Sequence, residues 1–225
     1  MSPLATFLAA QISSGVSRIG QIEILSEDGR APYRLCHAAD RELALAADGG
    51  GLELHRGPAG AREISTWGDD GEYRFSKAAE NLRRGWLMQL ADAEELRQAL
   101  DGFYPAAAGL WRAESRGQSE PQNLRDKLDR QTGMYRFARN ISDQGAQRLV
   151  RELCGPAHQC AKRILWQIDA ATALDDSEAS RHRGVAAGVA EDRAIPLLCR
   201  EACNFFVAEC RKASKREHDE QQQSS

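Results

Sequence analysis

Five of the six cysteines in this chain lie in one stretch, from Cys154 to Cys210, and only Cys36 stands apart. No other feature limits the fold as strongly. A secreted protein would use such a group for disulfides. Here the N-terminus, MSPLATFLAAQISSGVSRIG, has no basic leader, and its apolar run is too short to cross a bilayer. No later segment is apolar for long enough either. The expectation is a cytoplasmic chain. In a reducing compartment grouped cysteines serve metal binding or catalysis more often than cross-linking.

Spacing sorts the cysteines. In IPLLCREACNFF, Pro196 suits the first turn of a helix, which would put Cys199 and Cys203 on one face, ~6 Å apart along the axis. That separation suits two ligands of one centre better than a disulfide. Cys210 falls ~16 Å beyond Cys199 on such a helix, too far to share a compact centre. It reads as a buried thiol on the face of Phe206 and Val207. Cys154 and Cys160 bracket GPAHQ, where Gly155 and Pro156 end one helix and let the chain turn back. Cys160 would share a second helical face with Ile164 and Ile168. Joining the two arms makes a four-thiolate site. Zinc prefers C-x₂₋₄-C arms, so the C-x₅-C arm is loose for it, whereas a 4Fe–4S cluster accepts more varied spacings. Trp166, Phe205 and Phe206 can wall such a site, and Arg151, Lys162, Arg163 and Arg200 can offset its charge. Spacing alone leaves a cluster, zinc and unligated thiols all open.

The rest of the chain divides by texture. It has 225 residues, 42% apolar and 28% charged, with a net charge of −3 that gives no nucleic-acid footprint. In the first part, Leu4, Phe7, Leu8 and Ile12 space as a helix. QIEIL, the turn SEDGR and PYRLCHA predict a hairpin. LALAADGGGLELH predicts a second, and REISTW and YRFS around GDDG a third. Ala78 to Leu100 carries apolar residues at helical spacing. After the polar run AESRGQSEPQ the pattern turns helical. Pro121 opens a helix through Leu124 and Leu128 that Gly133 stops. Ser142 caps another through Leu149, Val150 and Leu153. The expected class is α+β: a small β-rich, mostly antiparallel domain with flanking helices (1–112), a linker (113–122), an all-α metal domain (123–213) and a disordered tail (214–225).

LRDKLDRQTGMYR, from Leu124 to Arg136, then a helix leading to C-x₅-C, a long gap, and IPLLCREACN resemble the iron–sulfur domain attached to some bacterial CbiX-like sirohydrochlorin chelatases. REISTWGDDGEYRFSKAAENLRRGW resembles the β-rich stabilising domain that precedes it. Together the likenesses span most of the chain from Ile22 to Cys210. The resemblance implies one 4Fe–4S cluster on Cys154, Cys160, Cys199 and Cys203. It also implies a context in tetrapyrrole metabolism, cobalamin or sirohaem, beside a separate chelatase chain or a tetrapyrrole and a redox partner protein. The chelatase domains themselves are not expected here, since His37, His55, His158, His182 and His218 are scattered and form no chelatase motif. With four protein ligands no iron is left open for substrate, so the expected role is an accessory or electron-transfer protein with no nucleic-acid or membrane partner. The rival is a zinc-stapled interaction module with no redox role.

Other candidates read more blandly. His158 is a loop histidine or a donor to a cluster sulfur. Cys36 and His37 point to opposite faces of a strand, so Cys36 is structural. Gly49–Gly51 lacks the Lys-Ser/Thr of a phosphate loop. Arg130, Arg136 and Arg139 form solvated charge or a patch for a polycarboxylate tetrapyrrole. Arg130, Gln131, Thr132 and Tyr135 face a substrate or pack against the cluster, with Met134 and Tyr135 as a shield.

Overall fold

A computed structural model describes residues 1–46, 49–74, 77, 79–130, 132–154, 160, 162–169 and 193–223. The chain forms two units, Met1–Gln118 with His182–Leu197, and Ser119–Arg181 with Leu198–Ser225. The metal domain was expected to be continuous, but Ala194 and Ile195 belong to the first unit, while Cys199, four residues on, belongs to the second.

The first unit opens with helix α1 (Pro3–Ser13), capped by Ser2 and burying Ala5, Leu8 and Ile12. Strands β1 (Arg18–Ile19), β2 (Ile22–Glu27) and β3 (Arg30–His37) follow. The predicted hairpin is β2–β3, antiparallel from Ile22↔His37 to Glu27↔Arg30. Its turn passes through Asp28 and Gly29, both at positive φ. Gly29 is required twice over, because a Cβ there would stand 2.5 Å from Ser13 Cα at the end of α1.

Among the described residues the second expected hairpin does not form and the third is reduced to a short pairing, with the Arg74 N–H donating to the Thr66 carbonyl and the Gly68 N–H to that of Glu72. Arg41–Leu45 is a short helix, α2, and strand β4 (Glu53–Arg56) pairs parallel with β5 (Trp86–Leu90). Ala61–Ile64 is helix α3, which leaves the third hairpin as the Trp67↔Tyr73 bridge. The long helix expected over Ala78–Leu100 is instead β5 followed by α4 (Ala93–Phe103). Gly85 at φ 81 separates this strand from what precedes it. A strand covered on both faces reads as an unbroken apolar run, and Trp86, Leu87 and Met88 are all buried, so its period resembles that of a core helix. Asp92 then caps α4 by accepting from the N–H groups of Glu94 and Glu95.

The sheet order is β4-β5-β3-β2-β1-β7, where β7 is Ala194–Ile195. The β4/β5 and β1/β7 pairs are parallel and the others antiparallel. The domain is therefore a mixed α/β layer rather than the mostly antiparallel unit expected. Helix α5 (Ala107–Glu114) and α4 both pack on α1, and Trp86 stacks on Phe103 with ring centroids 5.0 Å apart. The covered face is built from Leu8, Ile22, Leu35, Met88, Leu96 and Leu100.

The second unit holds helix α6 (Leu124–Asp129), a 3₁₀ segment (Gly133–Asn140), helix α7 (Asp143–Cys154) and helix α8 (Asn204–Gln223). Leu124, Leu128, Leu149, Val150, Phe206 and Val207 share one core. The helices expected around Cys160 and from Pro196 are absent from the described residues. There, β6 (Arg163–Ile164) and β8 (Leu198–Cys199) make a parallel pair. The last helix begins only after Cys203, whose carbonyl accepts the Val207 N–H at 3.0 Å. It then runs through the expected disordered tail to Gln223, because that tail has tertiary partners. Ala213 and Ser214 are buried. The Glu217 carboxylate accepts from both the N–H and the hydroxyl of Ser142, each at 2.9 Å, and Ser142 Oγ accepts from the Gly145 N–H. Among the described residues no helix is long and apolar enough to cross a membrane.

A Cβ on Gly145 would occupy the place of Glu217 Oε1, the end of a flexible side chain, so a larger residue there displaces the carboxylate and opens the latch. Glu217→Ala is expected to lower chain stability by about 1 kcal/mol, as for losing a cap, and Gly145→Ala by less, because the displaced latch is offset by the better helix propensity of alanine. Urea denaturation followed by far-UV circular dichroism measures both. Unchanged midpoints would show that the latch adds nothing.

Candidate metal centre

Three pieces of chain carry the four candidate cysteines of the second unit. Cys154 ends α7. Cys160 lies shortly before β6, and Cys199 ends β8, paired with Ile164. Cys203 stands at the entrance of α8. The pairing is reinforced by the Leu165 N–H donating to the Cys199 carbonyl at 2.8 Å, and by Leu124 and Arg125 donating to the carbonyls of Gln167 and Ile168. Residues around 123, 167 and 199 thus form an irregular floor in place of a helix face. Cys199 and Cys203 are presented by a strand and a helix entrance, so their geometry differs from the one-turn spacing expected.

The four sulfurs are within electrostatic reach of one another. Burial is the main cause that raises the Cys154 thiol pKa, with further increments from the charges of Cys160, Cys199, Cys203 and Cys210. Burial likewise pushes Cys199 up to about 11, and Cys203 and Cys160 add to it. Cys160 is raised by burial and by Cys203. Opposing groups are also present. The Lys162 N–H donates to the Cys160 sulfur, and the Lys162 ammonium favours the thiolates of both Cys160 and Cys199. The indole of Trp166 favours the Cys199 thiolate as well. As the thiol stands, Cys199 Sγ donates to the Glu201 carbonyl at 3.1 Å. Cys154, Cys160 and Cys199 are half-buried, and Cys203 is exposed.

Among the described residues no three His, Cys, Asp or Glu side chains are gathered as a single metal ion would require. The chemistry of the donors can still be tested against a cluster. Four thiols form a soft set that selects zinc or iron–sulfur centres. The Lys162 N–H on Cys160 and the Trp166 indole, buried beside Cys199 with no acceptor in full hydrogen-bond geometry among the described residues, are the kind of donors that cluster sulfurs accept. Trp166 and Phe206 meet edge to face, centroids 5.1 Å apart, and supply the apolar wall. The set fits a cluster.

Residues 116–212 match the sequence model of a 4Fe-4S iron-sulfur cluster binding domain, and residues 6–115 match that of the DR2241 stabilising domain. Each match covers a little under half of the chain, and the two lie end to end. No curated protein matches it. The solved structure of DR2241 from Deinococcus radiodurans is described as a multi-domain protein with structural similarity to chelatases and two additional novel domains. It aligns with 94% of this chain at a TM-score of 0.72 and 23% identity. The likeness establishes a common fold, and the chain spans 41% of that protein's length.

The remaining candidates resolve locally. Cys210 is fully buried beside Phe206 and Val207, as expected, and burial pushes its thiol up to about 12 against the opposing charge of Arg125. Cys36 is buried among Leu25, Ala44 and Leu87, with its thiol also at about 12 for the same reason. His37 faces elsewhere, its Nδ1 accepting from the Ala39 N–H. Gly49–Gly51 is a 3₁₀ turn. Arg130 is held by Gln122, the Asp126 carbonyl and Glu201, while Arg136 lies over the Phe137 ring. The GPAHQ loop with His158, Gln131, and the side chains of Met134 and Tyr135 lie outside the described residues.

Spacing named Lys162 for its charge and Trp166 as a wall, but missed that the Lys162 backbone N–H serves Cys160 and that the Trp166 indole favours the Cys199 thiolate. Both depend on β6 meeting β8, a pairing of distant segments with no local signal. In the metal-free reduced protein at neutral pH, Cys203 should be alkylated first, Cys154, Cys160 and Cys199 more slowly, and Cys36 and Cys210 only on unfolding. Peptide mass mapping of a time course with iodoacetamide gives the order; early labelling of Cys210 would contradict it.

Proposed function

We propose that this chain binds one 4Fe–4S cluster through Cys154, Cys160, Cys199 and Cys203, and that it serves tetrapyrrole metabolism as a redox or structural accessory to a chelatase. The observation that carries the proposal is the mutual electrostatic coupling of these four thiols inside the segment matched by the cluster-binding domain. Cys210 feels Cys203 and is felt by Cys154, yet it is sealed in the core and is left out of the ligand set. The chelatase context rests on DR2241, whose structural similarity to chelatases is stated for that larger protein.

When bound, a cluster supplies one-electron chemistry or rigidity. The chain's own residues hold four thiolates, shield them with Trp166 and Phe206, and offset their charge with Lys162. Cys154, Cys160 and Cys199 are held as thiols by burial, so ligation releases protons and the apparent affinity for metal rises with pH.

Protein purified without oxygen should be brown, with a broad absorbance band near ~400 nm and about four irons and four sulfides per chain. Replacing any one of the four ligands by Ser should empty or degrade the centre and destabilise the second unit. Cys36→Ser and Cys210→Ser should retain the iron. A colourless protein holding one zinc would replace the redox role with that of a stapled interaction module. Iron lost in Cys210→Ser alone would overturn the ligand assignment.

A further inference from the structure

The indole nitrogen of Trp166 is out of solvent, and among the described residues no acceptor meets it in full hydrogen-bond geometry, although it already favours the Cys199 thiolate. Trp166 is 3% exposed, and its ring is pinned edge to face on Phe206. Such an orphan is uncommon, because buried N–H groups are nearly always paired. The β6/β8 pairing, Ile164 opposite Cys199, brings this stretch of chain beside the Cys199 sulfur. As a thiol, that sulfur gives its hydrogen to the Glu201 carbonyl at 3.1 Å. A thiol that donates has little to gain from a second donor. A thiolate bound to iron has lost that hydrogen, carries negative charge, and accepts.

We propose that Trp166 is the hydrogen-bond donor to the metal-bound Cys199 sulfur and thereby sets the reduction potential of the cluster. The inference rests on the cluster reading above. Trp166 is not a ligand; it acts through Cys199. Its influence on the metal-free thiol already has the right sign, since it favours the charged sulfur against the effect of burial. One-electron reduction, with the electron supplied by a low-potential reductant such as dithionite, adds negative charge to the iron–thiolate unit. The hydrogen bond is stronger in that state, so it favours reduction and raises the potential. The backbone N–H of Lys162 does the same for Cys160. Trp166 differs in being a side-chain donor that can be deleted without touching the backbone.

Trp166→Phe keeps an aromatic ring against Phe206 and removes only the N–H. After anaerobic reconstitution and a mediated redox titration with dithionite, the variant's cluster should be harder to reduce. The expected change is about tenfold in the oxidised-to-reduced ratio at fixed ambient potential, or ~59 mV for one electron. A variant that loads four irons with an unchanged potential overturns the proposal. A second measurement needs no variant. Tryptophan labelled with ¹⁵N in the indole is incorporated into the wild-type chain, and the loaded cluster is reduced by irradiation at cryogenic temperature and examined by electron–nuclear double resonance. The other tryptophans, Trp67, Trp86 and Trp111, belong to the first unit. A ¹⁵N coupling with an exchangeable proton is expected, and its absence overturns the proposal even if the Phe variant fails to load. Wild-type protein that takes up no iron and sulfide overturns the function proposed above, and this shows before either comparison is made.

Discussion

Burial of sulfur is the constraint on which the second unit depends. Each of Cys154, Cys160 and Cys199 is driven toward its neutral thiol first by loss of water and then by the charge of neighbouring cysteines. Packing several such groups together gives the chain nothing as long as they remain thiols. It becomes favourable when positive charge arrives to be shared among them, as iron or zinc provides. The surroundings are arranged for that state. Lys162 contributes an ammonium and an N–H, Trp166 an indole N–H, and Cys203 stands at the N-terminal entrance of α8, where the helix dipole favours negative charge.

The two units solve different problems. The first closes a mixed sheet between helices and fills its interior with Trp86, Phe103 and aliphatic side chains. Its last strand is supplied from far along the chain, since Ala194 and Ile195 pair with Arg18 and Ile19. The second has a smaller core and relies on specific polar fastenings: the Ser142–Glu217–Gly145 latch and Arg125 clamping the carbonyls of Arg139 and Ile141.

Much of the first unit was legible because its signals are local. The 22–37 hairpin follows from alternation around Asp28-Gly29, and α1 follows from Ser2-Pro3 and the spacing of Leu8 and Ile12. In the second unit, α6 and the Ser142 entrance to α7 were equally readable. Trp86–Leu90 was not, because a doubly covered strand and a core helix share one hydropathy pattern. Nor were β6 and β8, whose apolar residues satisfy either period and whose partners are distant in sequence. The charged tail looked solvated because nothing local shows that Glu217 has a distant N–H to accept.

The sequence by itself determined which residues are chemically special. Soft thiols are few and conspicuous, and their grouping by spacing, with the cluster-domain likeness, singled out Cys154, Cys160, Cys199 and Cys203 as candidates. Tertiary structure alone decided how they are presented: by a helix end, a strand and a helix entrance rather than two helix faces. It also decided which neighbours act on them, Lys162 from its backbone and Trp166 from its ring. The physical reason is that residue type sets what a side chain can bind, whereas the environment that makes it bind is assembled by strand pairing and burial between segments that carry no record of each other in the local pattern.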